Sequence, residues 1–192
     1  MTDKKFNENE YEKLDSPKRR KILPVDNILQ GLGEINPGMV VADIGCGIGY
    51  LTLPLAERLR FSAGKVFAID ISPKMLNILE SKIDRQQNIE LVKSKESEVP
   101  IKSKQVDLSF LVTVFHELEE PEELIDEIKR FSKNKHRVVI VDWNDKERDM
   151  GPPAKIAFSK EEVIDIFKDK GYELLNTFKE DDNFYGLVFN IK

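Results

Sequence analysis

The residues best suited to chemistry fall in one stretch, Val40-Val41-Ala42-Asp43-Ile44-Gly45-Cys46-Gly47-Ile48-Gly49-Tyr50. An apolar run ends in a carboxylate and passes into alternating glycines. Glycine permits positive φ and lets a ligand approach the backbone without meeting a Cβ. A helix starting there turns its free N–H groups toward the same place. A second acid, Asp70, closes Val66-Phe67-Ala68-Ile69. It can accept hydrogen bonds from both hydroxyls of a ribose, with Ile71 and Pro73 as an apolar wall for a purine. The dinucleotide fingerprint needs glycine at its first, third and sixth positions. Here the glycines are 45, 47 and 49, and Tyr50 takes the last place. Asp43 would repel a pyrophosphate but suits an ammonium group. The pattern describes a nucleoside ligand that is cationic at one end.

Further candidates end two later apolar runs. Leu111-Val112-Thr113-Val114-Phe115-His116-Glu117-Leu118 carries His116, whose intrinsic pKa near ~6.5 allows it to take a proton at neutral pH. The alternative is that His116 satisfies a backbone group at the strand end. Phe115 reads as a wall of the reaction pocket. In Val141-Asp142-Trp143-Asn144 the single tryptophan stands at the mouth of the cleft. Its face could hold a substrate or a cation, or pack on the loop that leads to Gly151-Pro152-Pro153. Near the start, Pro17-Lys18-Arg19-Arg20-Lys21 is a short basic run. It is either part of a lid that brings Tyr11 or Arg20 to an acceptor or a solvated arm.

Positioning these residues requires strands and helices in alternation. Met39–Ile44, Lys65–Ile69, Ile89–Lys93, Val106–Val112 and Arg137–Asp142 are short apolar runs suited to strands buried on both faces. Between them, Leu51–Leu59, Pro73–Arg85 and Pro121–Phe131 have helical spacing, and Val25–Leu32 reads as a first helix. Ser72 and Pro73 form a helix start, and Pro121 forms another. Ser159 with Glu162 makes a capping box before Val163–Lys170, which Gly171 ends. Tyr172–Lys179 and Phe184–Ile191 flank a polar turn and predict an antiparallel hairpin. Right-handed crossovers then give an open, doubly wound α/β sheet.

Composition narrows the function classes. The 192 residues carry 30 Lys and Arg against 35 Asp and Glu, a net charge of −5. That balance makes nucleic acid a poor default partner. With Cys46 alone and only two histidines, no disulfide or thiolate metal cage is expected. The charged N-terminus and the lack of a long apolar run predict a cytoplasmic setting without membrane insertion.

On Asp43–Gly49, Val66–Ser72 and Val106-Asp107-Leu108-Ser109-Phe110, the chain resembles the class I S-adenosylmethionine-dependent methyltransferases. The likeness spans roughly residues 25–192 and is strongest to the small-molecule enzymes grouped with ubiquinone and menaquinone biosynthesis. It implies a Rossmann-like, three-layer sandwich with seven strands in the order 3-2-1-4-5-7-6, strand 7 antiparallel. Residues 1–24 would be an arm or lid and 25–192 a single domain. The implied cofactor is S-adenosyl-L-methionine, converted to S-adenosyl-L-homocysteine, held by Asp43, Gly45, Cys46, Gly47, Gly49, Asp70, Ile71 and Thr113. These relatives place an Asp after the third strand, against the adenine amino group, with Pro soon after. Here Ser94-Lys95-Glu96-Ser97-Glu98-Val99-Pro100 puts Lys95 at that place, and Glu96, one residue later, is assigned the contact. The acceptor would be a small molecule beside Tyr11, Phe115, His116 and Trp143, with His116 as base where a proton must leave. A regulatory nucleoside-binding domain without activity, and a nicotinamide-dependent oxidoreductase, are the alternatives. Tyr50 opposes the latter.

Overall fold

The computed structural model describes residues 5–31, 35–84, 88–148 and 150–191. Seven strands form one sheet in the order β3-β2-β1-β4-β5-β7-β6. They are β1 (Val40–Ile44), β2 (Lys65–Asp70), β3 (Ile89–Lys93), β4 (Val106–Val112), β5 (Ser132–Trp143), β6 (Tyr172–Glu180) and β7 (Phe184–Ile191). The first five run parallel. β7 inserts antiparallel between β5 and β6, with Val139 opposite Val188 and Asp142 opposite Tyr185. Order and orientation are those implied by the resemblance.

The apolar runs form strands because each side of the sheet is covered. Along β1, Val41 enters one core and Ala42 and Ile44 the other; along β5, Val139 and Val141 alternate with Val138 and Ile140 in the same way. One layer contains α2 (Val25–Gln30) and α3 (Thr52–Leu59), whose Ile28, Leu55 and Leu59 pack on Val66, Leu108 and Phe110. The opposite layer contains α5 (Pro121–Phe131) and α6 (Lys160–Asp169), whose Leu124, Ile128 and Phe167 meet Leu111, Ile140 and Phe189. α4 (Pro73–Lys82) begins with the Ser72 hydroxyl accepting the Met75 N–H at 3.2 Å. The capping box at Ser159 and Glu162 is formed, and Gly171 turns the chain at φ +81°. Leu32 and Arg85, the expected ends of two helices, lie outside the described residues.

β5 starts five residues before the expected Arg137. Lys133-Asn134-Lys135 is polar and gives no strand signal, yet Ser132 pairs with Val106 across a register shift. Buried His136 meets Ser109 Oγ at 2.8 Å. Among the described residues no helix is long and apolar enough to cross a membrane.

Candidate functional site

The site lies across the C-terminal ends of β1, β2, β4 and β5. Gly45, Gly47 and Gly49 adopt φ of +69°, +52° and +89°, so the bend after β1 depends on residues without Cβ. The amides of Gly45 and Cys46 donate to the Ile69 carbonyl at 2.8 and 2.9 Å, which ties the loop to the end of β2. Asp70 is clamped in turn: one carboxylate oxygen accepts from the Gly47 amide and the other from the Ser72 amide, both at 2.8 Å. Burial raises its pKa against the pull of those two bonds. Each oxygen keeps lone-pair capacity for a further donor.

Asp43 is more deeply enclosed. Thr52 Oγ1 donates to it at 2.6 Å, but no cation among the described residues pairs with it, and burial pushes its pKa to about 7. Thr113, immediately after β4, takes φ +57°, a conformation rare for a β-branched residue. Its amide donates to the Val141 carbonyl at 2.7 Å and its hydroxyl accepts from an Arg19 Nη at 2.9 Å. Beyond it, a single turn (Phe115–Glu117) aligns three ionisable groups. His116 Nδ1 and Asp142 Oδ1 are 2.7 Å apart, and His116 Nε2 is 3.8 Å from Glu117 Oε1. Burial alone would lower the His116 pKa, but Asp142 and Glu117 outweigh it and the net shift is upward. Burial brings Glu117 to about 7, against the pull of His116.

The N-terminal arm folds over this edge. It comprises a 3₁₀ helix (Glu8–Asp15) and α1 (Pro17–Ile22), which Ser16 caps through the Arg19 amide. The Phe6 amide donates to Glu117 at 3.1 Å, and Lys5 lies 3.4 Å from Glu96. Leu14 stands where a Cβ on Gly47 would be 3.2 Å from it. Arm and strand ends enclose a cavity of about 200 Å³ whose walls include Leu14, Arg19, Asp43, Gly47, Asp70, Thr113 and Glu117. Ordinary small-molecule sites occupy about 300–1,000 Å³, so the cavity is small while the arm is down.

A family model described as a methyltransferase domain matches residues 42–140. The solved structure of an S-adenosylmethionine-dependent methyltransferase from Aquifex aeolicus is 33% identical, with a TM-score of 0.91 over 98% of this chain and 100% of that one. The chain belongs to the S-adenosylmethionine-dependent methyltransferase family. Two curated relatives differ in what their names say. "Probable ribosomal RNA small subunit methyltransferase A" of Methanosarcina acetivorans is 37% identical over 59 residues, 31% of this chain and 20% of that protein. "Probable cobalt-precorrin-6B C(15)-methyltransferase (decarboxylating)" of Methanothermobacter thermautotrophicus is 25% identical over 150 residues, 77% of this chain and 68% of that protein. The chain thus matches only a fifth of the first curated relative's length.

In this family member the cavity brings together Asp43, Gly45, Cys46, Gly47, Asp70, Ile71, Glu96 and Thr113. Cys46 is buried, with its Sγ toward the Gly47 carbonyl. Gly49 lies deeper, where a Cβ would strike Leu79. One Glu96 oxygen is committed to the Glu119 and Glu120 amides at 2.7 and 3.3 Å, and the other faces Lys5.

The expected acceptor walls require correction. Phe115 is fully buried, edge-on to Phe158 at 5.3 Å between centroids and 6.0 Å from Phe167, because the turn at the end of β4 sends its ring into the α5–α6 core. Trp143 stacks on Phe184 at 4.3 Å and backs onto Gly151, where a Cβ would be 2.9 Å away. Its alternation along β5 places it in the α2–α3 core instead of the cavity. Tyr11 sits beside Lys74, 5.7 Å from its Nζ, away from the cavity walls. His116 stands one layer back, and Glu117 is the member of the turn that faces the cavity. Arg19 enters it, whereas Arg20 is exposed on the next face of α1. Arg19, Glu117 and Asp142 were not singled out from the sequence. The His116-Glu117 dipeptide and an acid at the end of β5 were the available signals for two of them.

Proposed function

We propose that this protein transfers a methyl group from S-adenosyl-L-methionine to a small-molecule acceptor. The observation that carries the reading is the pair of buried acids, Asp43 and Asp70, converging on a glycine loop in one cavity. Burying a carboxylate without a cation is unfavourable. A ligand with a cationic amino-acid end and a ribose diol would meet both acids. The residues present therefore fit the adenosyl cofactor, with Asp70 for the ribose, Asp43 for the ammonium group and Ile71 and Met75 beside the base. When bound, this cofactor supplies a methyl group already activated on a sulfonium.

The chain's own work is to align, to exclude water and to receive a proton where the acceptor must lose one. Glu117 is the cavity-facing candidate for that proton. His116 and Asp142 behind it are positioning residues that set its field and orientation. A small acceptor, of the kind used by the ubiquinone and menaquinone group, is supported by the small size of the cavity and the net negative charge. The precorrin relative matches over 150 residues and the ribosomal RNA relative over 59, which favours the same side. The experiment is transfer of a radiolabelled methyl group from the cofactor to a metabolite panel and, separately, to ribosomal RNA, alongside calorimetry with S-adenosylhomocysteine and NAD. Binding of S-adenosylhomocysteine but not NAD, with label in a small molecule, is expected. Label only in RNA would overturn the acceptor class, and cofactor binding with no transfer at all would favour the regulatory-domain alternative.

A further inference from the structure

Arg19 is the unexplained group of the cavity. Its guanidinium lies 4.9 Å from the centroid of the Tyr50 ring, and one Nη donates to Thr113 Oγ1 at 2.9 Å. Its buried Nε has no hydrogen-bond partner. A guanidinium offers five donors in a fixed fork, and a buried donor left unmatched is costly. Burial lowers its pKa, while Tyr50, Asp142, Asp15 and Glu117 pull the other way. The three acids act from a distance, because each is engaged elsewhere. Asp15 pairs with Arg20 at 2.6 Å. Asp142 meets His116 Nδ1 and the Trp143 amide, both at 2.7 Å. Glu117 accepts from the Phe6 amide at 3.1 Å. Among the described residues, none of the three forms an ion pair with Arg19.

These neighbours fix where the guanidinium works. Thr113 follows β4, and its amide donates to the Val141 carbonyl of β5 at 2.7 Å. Glu117 stands in the turn after β4, and Asp142 lies at the end of β5. Asp70, the ribose acid in the reading above, ends β2, which β1 separates from β4 in the strand order. Arg19 and Glu117 both line the cavity. They therefore stand on its β4–β5 side, across from the base and the ribose. That side is left for the acceptor.

Resting on the cofactor reading above, we propose that the acceptor is a small carboxylic acid and that Arg19 binds its carboxylate. The planar fork matches a carboxylate. A single negative charge offsets the single charge of the guanidinium, whereas a phosphate dianion would bring a second one toward Asp142 and Glu117. The carboxylate is a handle. It takes no part in the bond changes and turns the methyl-accepting O–H or N–H toward Glu117. A site built to bind a charged group rejects the analogue that lacks it, so Arg19 selects acids over their amides and esters.

The test uses the full chain saturated with S-adenosylhomocysteine and three probe acids, benzoate, 4-hydroxybenzoate and lactate, each set against its neutral amide. In nitrogen-15 NMR spectra the Arg19 Nε–H signal, assigned by its absence in Arg19→Lys, should shift with an acid and stay in place with the amide. Titrations should show at least one acid binding about tenfold or more tighter than its amide. Arg19→Ala should remove that preference, and Arg19→Lys, which keeps the charge without the fork, should restore part of it. Calorimetry of Arg19→Ala with S-adenosylhomocysteine should change by less than about threefold, which also shows that the variant is folded. No preference for any acid in the wild-type protein, or a preference that survives in Arg19→Ala, would overturn the proposal. A loss of tenfold or more in S-adenosylhomocysteine affinity would assign Arg19 to the cofactor and overturn it as well. Failure of the wild-type protein to bind S-adenosylhomocysteine at all would instead strike the cofactor reading, and the acceptor assignment would fall with it.

Discussion

Asp43 holds a carboxyl near pKa 7 because it is buried, with no cation beside it among the described residues. Binding an ammonium group requires the ionised form, so protons compete with the ligand below that value. S-adenosylhomocysteine affinity should rise about tenfold per unit between pH 5 and 7 and level off above 8. Asp43→Asn should flatten that profile and abolish proton release measured in buffers of different ionisation enthalpy. The sign for folding is opposite. The unfolded chain loses this proton near pH ~3.9 while the folded chain keeps it to about 7, so stability falls as pH rises through that window. Asp43→Asn should therefore melt higher than wild type at pH 8, by at least the ~2–4 °C that 1 kcal/mol gives at this size, and should gain little at pH 4. Asp70→Ala should weaken the same ligand by more than about tenfold, the value of charge-assisted bonds to hydroxyls; unchanged affinity in calorimetry would misplace the ribose. For an acceptor that must be deprotonated, kcat at saturating cofactor should climb with an apparent pKa near 7, the value of Glu117. Glu117→Gln should remove that limb, and Asp142→Asn should move its midpoint, because Asp142 acts on Glu117 directly and through His116.

At the scale of elements, the ends of β1, β2, β4 and β5 carry the site and the loop between β1 and α3 shapes it. Gly45 combines φ +69° with a neighbour that allows no side chain, since a Cβ would lie 2.4 Å from Val114. Gly38 has φ +85° but open space around it. Gly45→Ala should abolish measurable cofactor binding or folding. Gly38→Ala should cost only the strain of the left-handed region, about 1–2 kcal/mol, as read by chemical denaturation. Strand and loop positions were legible from the sequence because strands buried on both faces are continuous apolar runs and because Gly and acids punctuate their ends. What failed was facing. Phe115 and Trp143 stand at strand ends as expected, but a one-residue step decides whether a ring meets the cavity or the core. Arg19 and Arg20 differ by about 100° around α1, and no local signal says which turns inward. The first half of β5 was hidden by Lys133-Asn134-Lys135, a polar stretch between the pairs Ser132–Val106 and Arg137–Leu108.

At the scale of the molecule, the arm is both wall and obstacle. It contacts the Glu117 turn through the Phe6 amide and Thr113 through Arg19, so opening it disturbs both of those cavity walls together. The basic run Lys18–Lys21 lies on α1 with Lys18, Arg20 and Lys21 exposed, which makes trypsin a probe of that opening. Where cleavage requires the open arm and the ligand binds the closed one, S-adenosylhomocysteine at ten times its Kd should slow cutting there by about tenfold. Cutting at an unchanged rate would mean that the arm closes without the cofactor's help.

The insertion of β7 between β5 and β6 bears on how the chain is born. Until Phe184–Ile191 leave the ribosome, the outer edge of β5 has no neighbour, and Val139 and Val141 lie along a bare row of backbone donors and acceptors. Such an edge invites pairing with other chains. Translation therefore passes through an interval in which most of the sheet exists yet cannot close, and shielding by a chaperone matters most in that interval.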